Sequence, residues 1–363
     1  MLNRTLAALA IFTTFFYCHR VQVKSLPLKI AGPLLVTLLV CLSGCIGSAD
    51  NEVVTYAALD KEFSQPILNQ IESELDVTIL PKFDVESNKT VGLVTELIQQ
   101  RKRPRVDIFW NNEALHTIRL QQMGLLEPWN PAAAERIPAT FKATDGSWTG
   151  FAARARVFLI NTDLIPDESD RPDTFFDLAD PKWSQKCSMA KPLFGTSATH
   201  AAVMFDRLGA EAAARWYRQI RSNAVIEGGN RQVAIKVGRG ELAFGLTDTD
   251  DAMLEIDKGS PVTIVYPDQA DSESGTLLIP NTICLLAGGP NPQRARAVIE
   301  RLLQADIERQ LALGSSAQFP LNPEVSVASR ANPPASLKVM TVDFESAAEK
   351  WDQIAQELAQ IFQ

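Results

Sequence analysis

Cysteine is nearly missing from most of this chain: of its 5 cysteines in 363 residues, only Cys187 and Cys284 lie beyond the first 45 positions. A small secreted scaffold stapled by disulfides carries many more, so the fold must rest on an apolar core. Both cysteines sit in apolar, strand-like segments and read as buried free thiols. A block of basic charge is missing too. Beyond the short Arg101-Lys102-Arg103-Pro104-Arg105 the basic residues are scattered, and 35 basic against 43 acidic residues leave a net charge of -8. Nucleic acid, whose electrostatic footprint is a basic patch or stripe, is therefore excluded as a partner. No internal repeat or low-complexity tract is visible, and no apolar run reaches the roughly 20 residues that a membrane-spanning helix needs.

What is present begins with a leader. The apolar stretch Ile30 to Val40 follows Lys24 and Lys29 and ends at Leu42-Ser43-Gly44-Cys45. This resembles a bacterial lipoprotein signal, in which Cys45 becomes the acylated first residue of an exported protein, with a plain membrane anchor as the competing reading. Ile46, not Asp, follows the cysteine, which in a Gram-negative host resembles the pattern passed on to the outer membrane. A second apolar run, Leu6 to Tyr17, belongs to an unusually long leader or to a start codon downstream of Met1.

The roughly 320 residues that remain suit two domains of about 100 to 200 residues each. Val53-Val54-Thr55-Tyr56 reads as a strand, and Phe63, Ile67 and Ile71, with Leu68 and Leu75 beside them, give the next segment one apolar helical face. A strand over Val77 to Phe83, a helix over Lys89 to Gln100 and a strand over Val106 to Trp110 continue the alternation. Such alternation predicts an α/β sheet with parallel pairs, in which ligands collect at the carboxyl ends of strands. Prolines 128, 131 and 138 and the Asp145-Gly146 turn interrupt it. Phe151 to Asn161 then forms a long apolar strand carrying Arg154 and Arg156, followed by strands at Cys187 to Ala190, Ala243 to Leu246, Val262 to Tyr266 and Thr282 to Leu286. The chain ends in an amphipathic helix with Trp351, Ile354, Leu358 and Ile361 on one face.

Three places put polar groups at strand ends. Thr247-Asp248-Thr249-Asp250-Asp251 follows an apolar strand directly, and closing a cleft over three such carboxylates raises their pKa values unless a cation is present. A calcium loop is excluded, because the sixth position from Asp248 is Met253 rather than glycine and the twelfth is Gly259 rather than glutamate. The plainer reading is that Asp248 or Asp250 caps the next helix. Phe194-Gly195-Thr196-Ser197-Ala198-Thr199-His200 joins a strand to a helix, where unpaired N–H groups and hydroxyls make either an anion site or an ordinary cap. Arg154, in an otherwise apolar strand, pairs with a carboxylate or faces an anion. His116 reads as a surface helix residue, and His200 stays open.

Four stretches together resemble the ferric-iron-type substrate-binding proteins of ABC importers. They are residues 106–113 (VDIFWNNE), 148–157 (WTGFAARARV), 191–197 (KPLFGTS) and 245–252 (GLTDTDDA). The resemblance implies a two-lobed periplasmic-binding-protein fold of the type II-like kind, with a hinge between two α/β domains. The expected division is a leader over 1–45, one lobe over 46–155 and 279–317, and the other over 156–278 and 318–363. It further implies a monomer tethered through Cys45, periplasmic or at the cell surface, that passes a small ligand to a permease and its ATPase and needs no cofactor.

Carried over by residue, the resemblance sets a tyrosine pair of ferric binders on Asp250 and Asp251, a histidine ligand on Asp60, and a glutamate ligand on Asn112 with Glu113 beside it. The candidate ligand-binding set is thus Asp60, Asn112, Glu113, Arg154, Thr196, Ser197, Thr199, Asp248, Asp250 and Asp251, with Asp60, Asp250 and Asp251 as metal ligands if the cargo is a metal. Ferric iron with a bound anion is the first cargo this implies. A zwitterionic or phosphorylated organic solute, such as an aminoalkylphosphonate, is the alternative, its anion on Ser197, Thr199 and Arg154 and its ammonium on the aspartates. An exported hydrolase using Ser197 or Cys187 with His200 fits poorly, since no Gly-Xaa-Ser-Xaa-Gly elbow surrounds the serine. A sensor that reports binding to a receptor stays open beside transport.

Overall fold

A computed structural model describes residues 51–84 and 90–363 of the chain. The leader, the lipidation expected at Cys45 and the start-codon question lie outside the described residues. The first elements are β1 (Glu52–Ala57), α1 (Lys61–Leu75), β2 (Thr78–Phe83), α2 (Val91–Gln99), β3 (Ile108–Asn111) and α3 (Leu115–Gln122). β1 pairs in parallel with both β2 and β3, as strand–helix–strand alternation requires. The face of α1 that reads as apolar is the buried one, with Phe63, Ile67, Leu68 and Ile71 against the sheet.

β4 (Trp148–Asn161) organises the rest. All 14 of its residues are buried, and it belongs to both halves of the sheet. Its first part, Trp148 to Ala155, pairs antiparallel with β9 (Leu278–Leu285), which in turn pairs with β3. From Arg156 to Ile160 it pairs antiparallel with β7 (Phe244–Asp248), and from Phe158 to Asn161 with β8 (Val262–Val265). β7 carries β5 (Cys187–Ala190), which carries β6 (Val225–Glu227), both contacts parallel. Two α/β lobes thus share one strand.

The crossing region is bulged between Phe151 and Ala153, where Ala152 adopts φ +43°, a left-handed conformation that disfavours a side chain. Two side chains hold it there through three hydrogen bonds. Glu308 accepts from the Ala152 N–H at 2.6 Å, and Asn281 donates to the carbonyls of Phe151 and Ala152.

The second lobe adds α4 (Gly195–Leu208), α5 (Ala210–Asn223), α6 (Asn230–Gly238) and α7 (Thr249–Asp257). α8 (Pro292–Leu302) packs on α1, and α9 (Ala305–Leu313) carries Glu308 to β4. The closing α10 (Phe344–Glu349) and α11 (Trp351–Ile361) lie against α3, α4 and α5, with Trp351, Ile354 and Leu358 in the core as their spacing predicts. Cys187 and Cys284 are free and buried. Among the described residues no helix is long and apolar enough to cross a membrane.

Candidate ligand cleft

Residues two apart on a strand face the same side, so Arg154 and Arg156 leave β4 together. Their alternate neighbours Ala153, Ala155, Val157 and Leu159 pack into the apolar cluster on the opposite face. Both guanidinium groups are buried, Arg154 being 2 % exposed and Arg156 fully covered. Each therefore needs a counter-charge, and β7 supplies it at its carboxyl end. Arg156 Nη1 donates to Asp248 Oδ1 at 2.7 Å, while Arg154 Nη1 lies 3.6 Å from Asp248 Oδ2 and 3.4 Å from Asp250 Oδ2. Arg154 also donates to the carbonyl of Asn112, across from the other lobe.

Asp248 is not the helix cap that its position suggests. It occupies the N-cap of α7 without a side-chain capping bond, and its carboxylate turns instead to Arg156, to the Thr196 hydroxyl at 2.5 Å and to Asn230 Nδ2 at 2.9 Å. Burial pushes its carboxyl up, but the charges of Arg156 and Arg154 and the Thr196 bond outweigh that and hold it below the usual carboxylate range. Asp250 accepts from the N–H of Asp251, and Asp251 lies 3.5 Å from Arg231 on α6. Arg231 also lies 3.5 Å from Glu62 on α1, in the other lobe. Carboxylate oxygens of Asp248, Asp250 and Asp251 fall within 4.8 Å of one another.

A cavity opens beside this network, with about 360 Å³ of empty space including that open to solvent. Asn112, Arg154, Thr196, Ser197 and Asp248, all expected from the sequence, line it. Lys191, Gly228, Gly229 and Asn230 line it as well and were not expected. α4 starts here after Phe194, which offers no side-chain cap, and its first internal bond is Ala198 N–H to Phe194 C=O at 3.1 Å. Thr196 and Ser197 are thus inside the first turn rather than caps. Ser197 Oγ lies 3.2 Å from Asn230 Oδ1 and 3.4 Å from Arg156 Nη2.

The other expected residues are placed differently. Glu113 is fully buried and accepts from Thr199 Oγ1 at 2.7 Å and Asn111 Nδ2 at 2.7 Å, with His116 Nδ1 at 3.1 Å. Glu113 and Thr199 therefore bind each other across the lobes, away from the cavity lining. Burial raises the Glu113 carboxyl, yet His116 and the hydroxyl and amide donors together leave it lowered. His116 is not on the surface: it is buried, with its ring edge-on to Trp351 at 6.1 Å. The C-terminal helix covers it, which the local polarity of α3 gives no sign of. Asp60 is half-buried at the N-cap of α1, and its charge acts on Arg154. Asn112 Oδ1 accepts from Thr90 at 2.8 Å.

Among the described residues neither Ser197 nor Cys187 meets an activating base. Burial pushes the Cys187 thiol up to about 12, and burial together with Arg156 lowers His200 well below its ordinary value. His200 Nδ1 faces Arg156 Nε at 3.5 Å rather than Ser197. Arg156, Asn230 and Lys191 are what reading the sequence missed. The two-residue spacing from Arg154 was signal enough for Arg156, whereas Lys191 and Asn230 announce themselves only through the convergence of two helix starts.

Residues 104–347 match the family model described as bacterial extracellular solute-binding protein. Iron uptake protein A2 of Synechocystis sp. is 27% identical over 237 residues, covering 61% of this chain and 66% of that protein, just under two thirds of its length. Iron-bound HitA from Pseudomonas aeruginosa superposes with a TM-score of 0.77 at 20% identity, over 85% of this chain and 99% of that one. AfuA from Actinobacillus pleuropneumoniae, solved with exogenous fructose-6-phosphate bound, gives 0.75 at 18% identity over 86% and 98%. At such identities these two likenesses speak for the two-lobed fold.

Proposed function

This chain belongs to the bacterial extracellular solute-binding protein family, and from that premise we propose that it is the lipid-tethered capture component of an ABC importer. It takes a small cargo into the cleft between its lobes, closes over it by bending at β4 and β9, and presents it to a permease and ATPase. It works as a monomer, held through Cys45 at the periplasmic face of a membrane or at the cell surface. The single observation that carries this reading is the cavity between Asn112 of one lobe and the starts of α4 and α6 in the other, with buried Arg154 at the shared strand. Helix starts and basic side chains together favour an anion.

Two cargoes fit an anion at that place. Ferric iron accompanied by an anion follows from the names of the relatives, and Asp248, Asp250 and Asp251 offer oxygen ligands close enough to share one ion. A phosphorylated or phosphonate-bearing organic solute is favoured by the arginines that already answer Asp248 and Asp250.

The capture reading is tested by a thermal-shift screen of the purified protein against metals, phosphonates and sugar phosphates, followed by solution scattering with each hit. A ligand that binds only the folded state raises the melting temperature, and closure reduces the radius of gyration. Stabilisation without contraction would remove lobe closure; no stabilisation by any small molecule would remove capture.

A further inference from the structure

The run Arg101-Lys102-Arg103-Pro104-Arg105 takes no part in the cleft. It forms a tight turn after α2, with the Arg101 N–H donating to the Ile98 carbonyl at 3.3 Å and the Arg103 N–H to the Gln100 carbonyl at 2.8 Å. Arg101, Lys102, Arg103 and Arg105 are all exposed, and none makes an ion pair among the described residues. Like charges so close together repel one another and favour an anionic partner, although the chain as a whole carries a net charge of -8.

The turn lies at the amino edge of the parallel strands of the first lobe. It leads through Val106 and Asp107 into β3, and the Asp107 carboxylate accepts from the N–H of Val54 on β1 at 2.9 Å and from the N–H of Asn291 at 2.5 Å. Asn291 Nδ2 in turn donates to the carbonyl of Glu52, the first residue of β1, at 2.7 Å. Arg294 follows in the first turn of α8, exposed and likewise without an ion pair among the described residues. Glu52 and Asp76 share this edge, so the cations outnumber the acids there. The cleft lies at the other end of the same strands, since Asp60 follows β1 and Asn112 follows β3. Across the 6 residues of β1, at about 3.3 Å each, the two ends stand about 20 Å apart.

The amino edge is also where the chain leaves toward Cys45. Cys45 and Asn51 are 6 residue steps apart, and an extended chain spans at most about 3.6 Å per residue, so an acylated Cys45 keeps Asn51 within about 22 Å of the lipid. Attraction to an anionic surface acts over about one Debye length, roughly 8–10 Å at moderate ionic strength. The tether thus brings the turn to the surface, and charge seats it.

We propose that Arg101, Lys102, Arg103, Arg105 and Arg294 sit on the anionic headgroups of the membrane that holds the lipid anchor, so that the first lobe stands on its amino edge and the cleft opens away from the bilayer. The proposal rests on the tether at Cys45 and adds an orientation to it. Each basic side chain near an anionic surface strengthens such a contact, and salt weakens it. It biases the resting orientation yet lets the protein turn toward a permease.

The test uses protein purified with detergent from cell membranes and reconstituted into phosphatidylcholine vesicles with and without phosphatidylglycerol. Gln99→Cys, exposed at the end of α2 beside the turn, carries a fluorophore, and Lys61→Cys, exposed at the cleft end of β1, carries it in the control. Cys187 and Cys284 are buried and Cys45 bears the lipid, so the label goes to the introduced thiol. A nitroxide on the lipid headgroup should quench position 99 in phosphatidylglycerol vesicles. Quenching should be much weaker in phosphatidylcholine alone, or at about 1 M salt, where the Debye length falls to about 3 Å. Position 61 should stay unquenched throughout. Arg101→Gln, Lys102→Gln and Arg103→Gln together remove three exposed charges and should lower the ratio of seated to free protein by on the order of a hundredfold, with the melting temperature unchanged.

Quenching at position 99 that ignores phosphatidylglycerol or the triple variant, equal quenching at 61 and 99, or none at 99 would each overturn the proposal. Intact mass separates it from the tether. An acylated protein with position 99 unquenched loses the orientation alone, whereas a purified protein without lipid on Cys45 loses both.

Discussion

Replacing Arg156 by Met asks whether the buried charge network is a structural unit. Methionine is unbranched and adaptable, so the shape is largely kept while the partner of Asp248 is lost. Asp248 then retains Thr196 at 2.5 Å, Asn230 at 2.9 Å and Arg154 at 3.6 Å. Removing one member of a buried ion pair typically costs about 3–5 kcal/mol, because the remaining charge is left in a poorly solvating interior. With three partners remaining, the lower end applies, about 3 kcal/mol. At roughly 2–4 °C per kcal/mol for a domain of this size, the melting temperature should fall by about 6–12 °C.

The pH dependence carries an independent sign. Asp248 is held below its ordinary range in the folded protein. Its contribution is therefore fully present above the unfolded-state value near 3.9 and is lost as pH falls through the folded value. Arg156→Met raises that folded value, so acid unfolding should begin at higher pH than in the parent. Asp248→Asn keeps an acceptor for Thr196 and removes the orphaned charge, so the double variant should recover part of the loss, with a coupling of about 1 kcal/mol or more. Thermal and acid unfolding of the parent, both singles and the double give all four corners of the cycle. A single variant costing less than about 1 kcal/mol, or a double variant that loses the simple sum, would refute the idea of a coupled network.

Other outcomes follow from the same geometry. Glu113→Gln removes the charge that receives Thr199 across the lobes, and should lower stability by about 1–3 kcal/mol in thermal unfolding at neutral pH. That difference should shrink as pH falls through the lowered folded value of the Glu113 carboxyl, since protonation then neutralises the parent as well. The paired change Asp250→Asn and Asp251→Asn should leave the affinity for an organic phosphate within about threefold by calorimetry, whereas loss of a metal's charged ligands costs on the order of a hundredfold. Cys45→Ser should abolish incorporation of a labelled fatty acid in growing cells; a variant that is still labelled would place the lipid elsewhere.

The fold was readable because its signals are local. Phe63, Ile67 and Ile71 repeat at helical spacing within α1, and the β-branched run of β1 precedes them, so burial of that face needs no distant information. The site was readable in part for the same reason, as three carboxylates directly after β7 and hydroxyls at the start of α4 are visible in a line of text. Allocation of charge is another matter. Arg156 meets Asp248 from 92 positions away, Thr199 meets Glu113 from 86, and His116 is covered by a helix that begins at Trp351.

Counting acidic residues near a strand end therefore suggests a cation, although the same strand register that aligns Arg156 with Asp248 supplies the cation from within the protein. The two-residue step from Arg154 to Arg156 was the one local trace of that arrangement. Two arginines on one face of a fully buried strand cannot stay unpaired, and the acidic cluster is the partner they require. Lys191, which lines the cavity, makes no ion pair among the described residues, and α4 and α6 begin beside it.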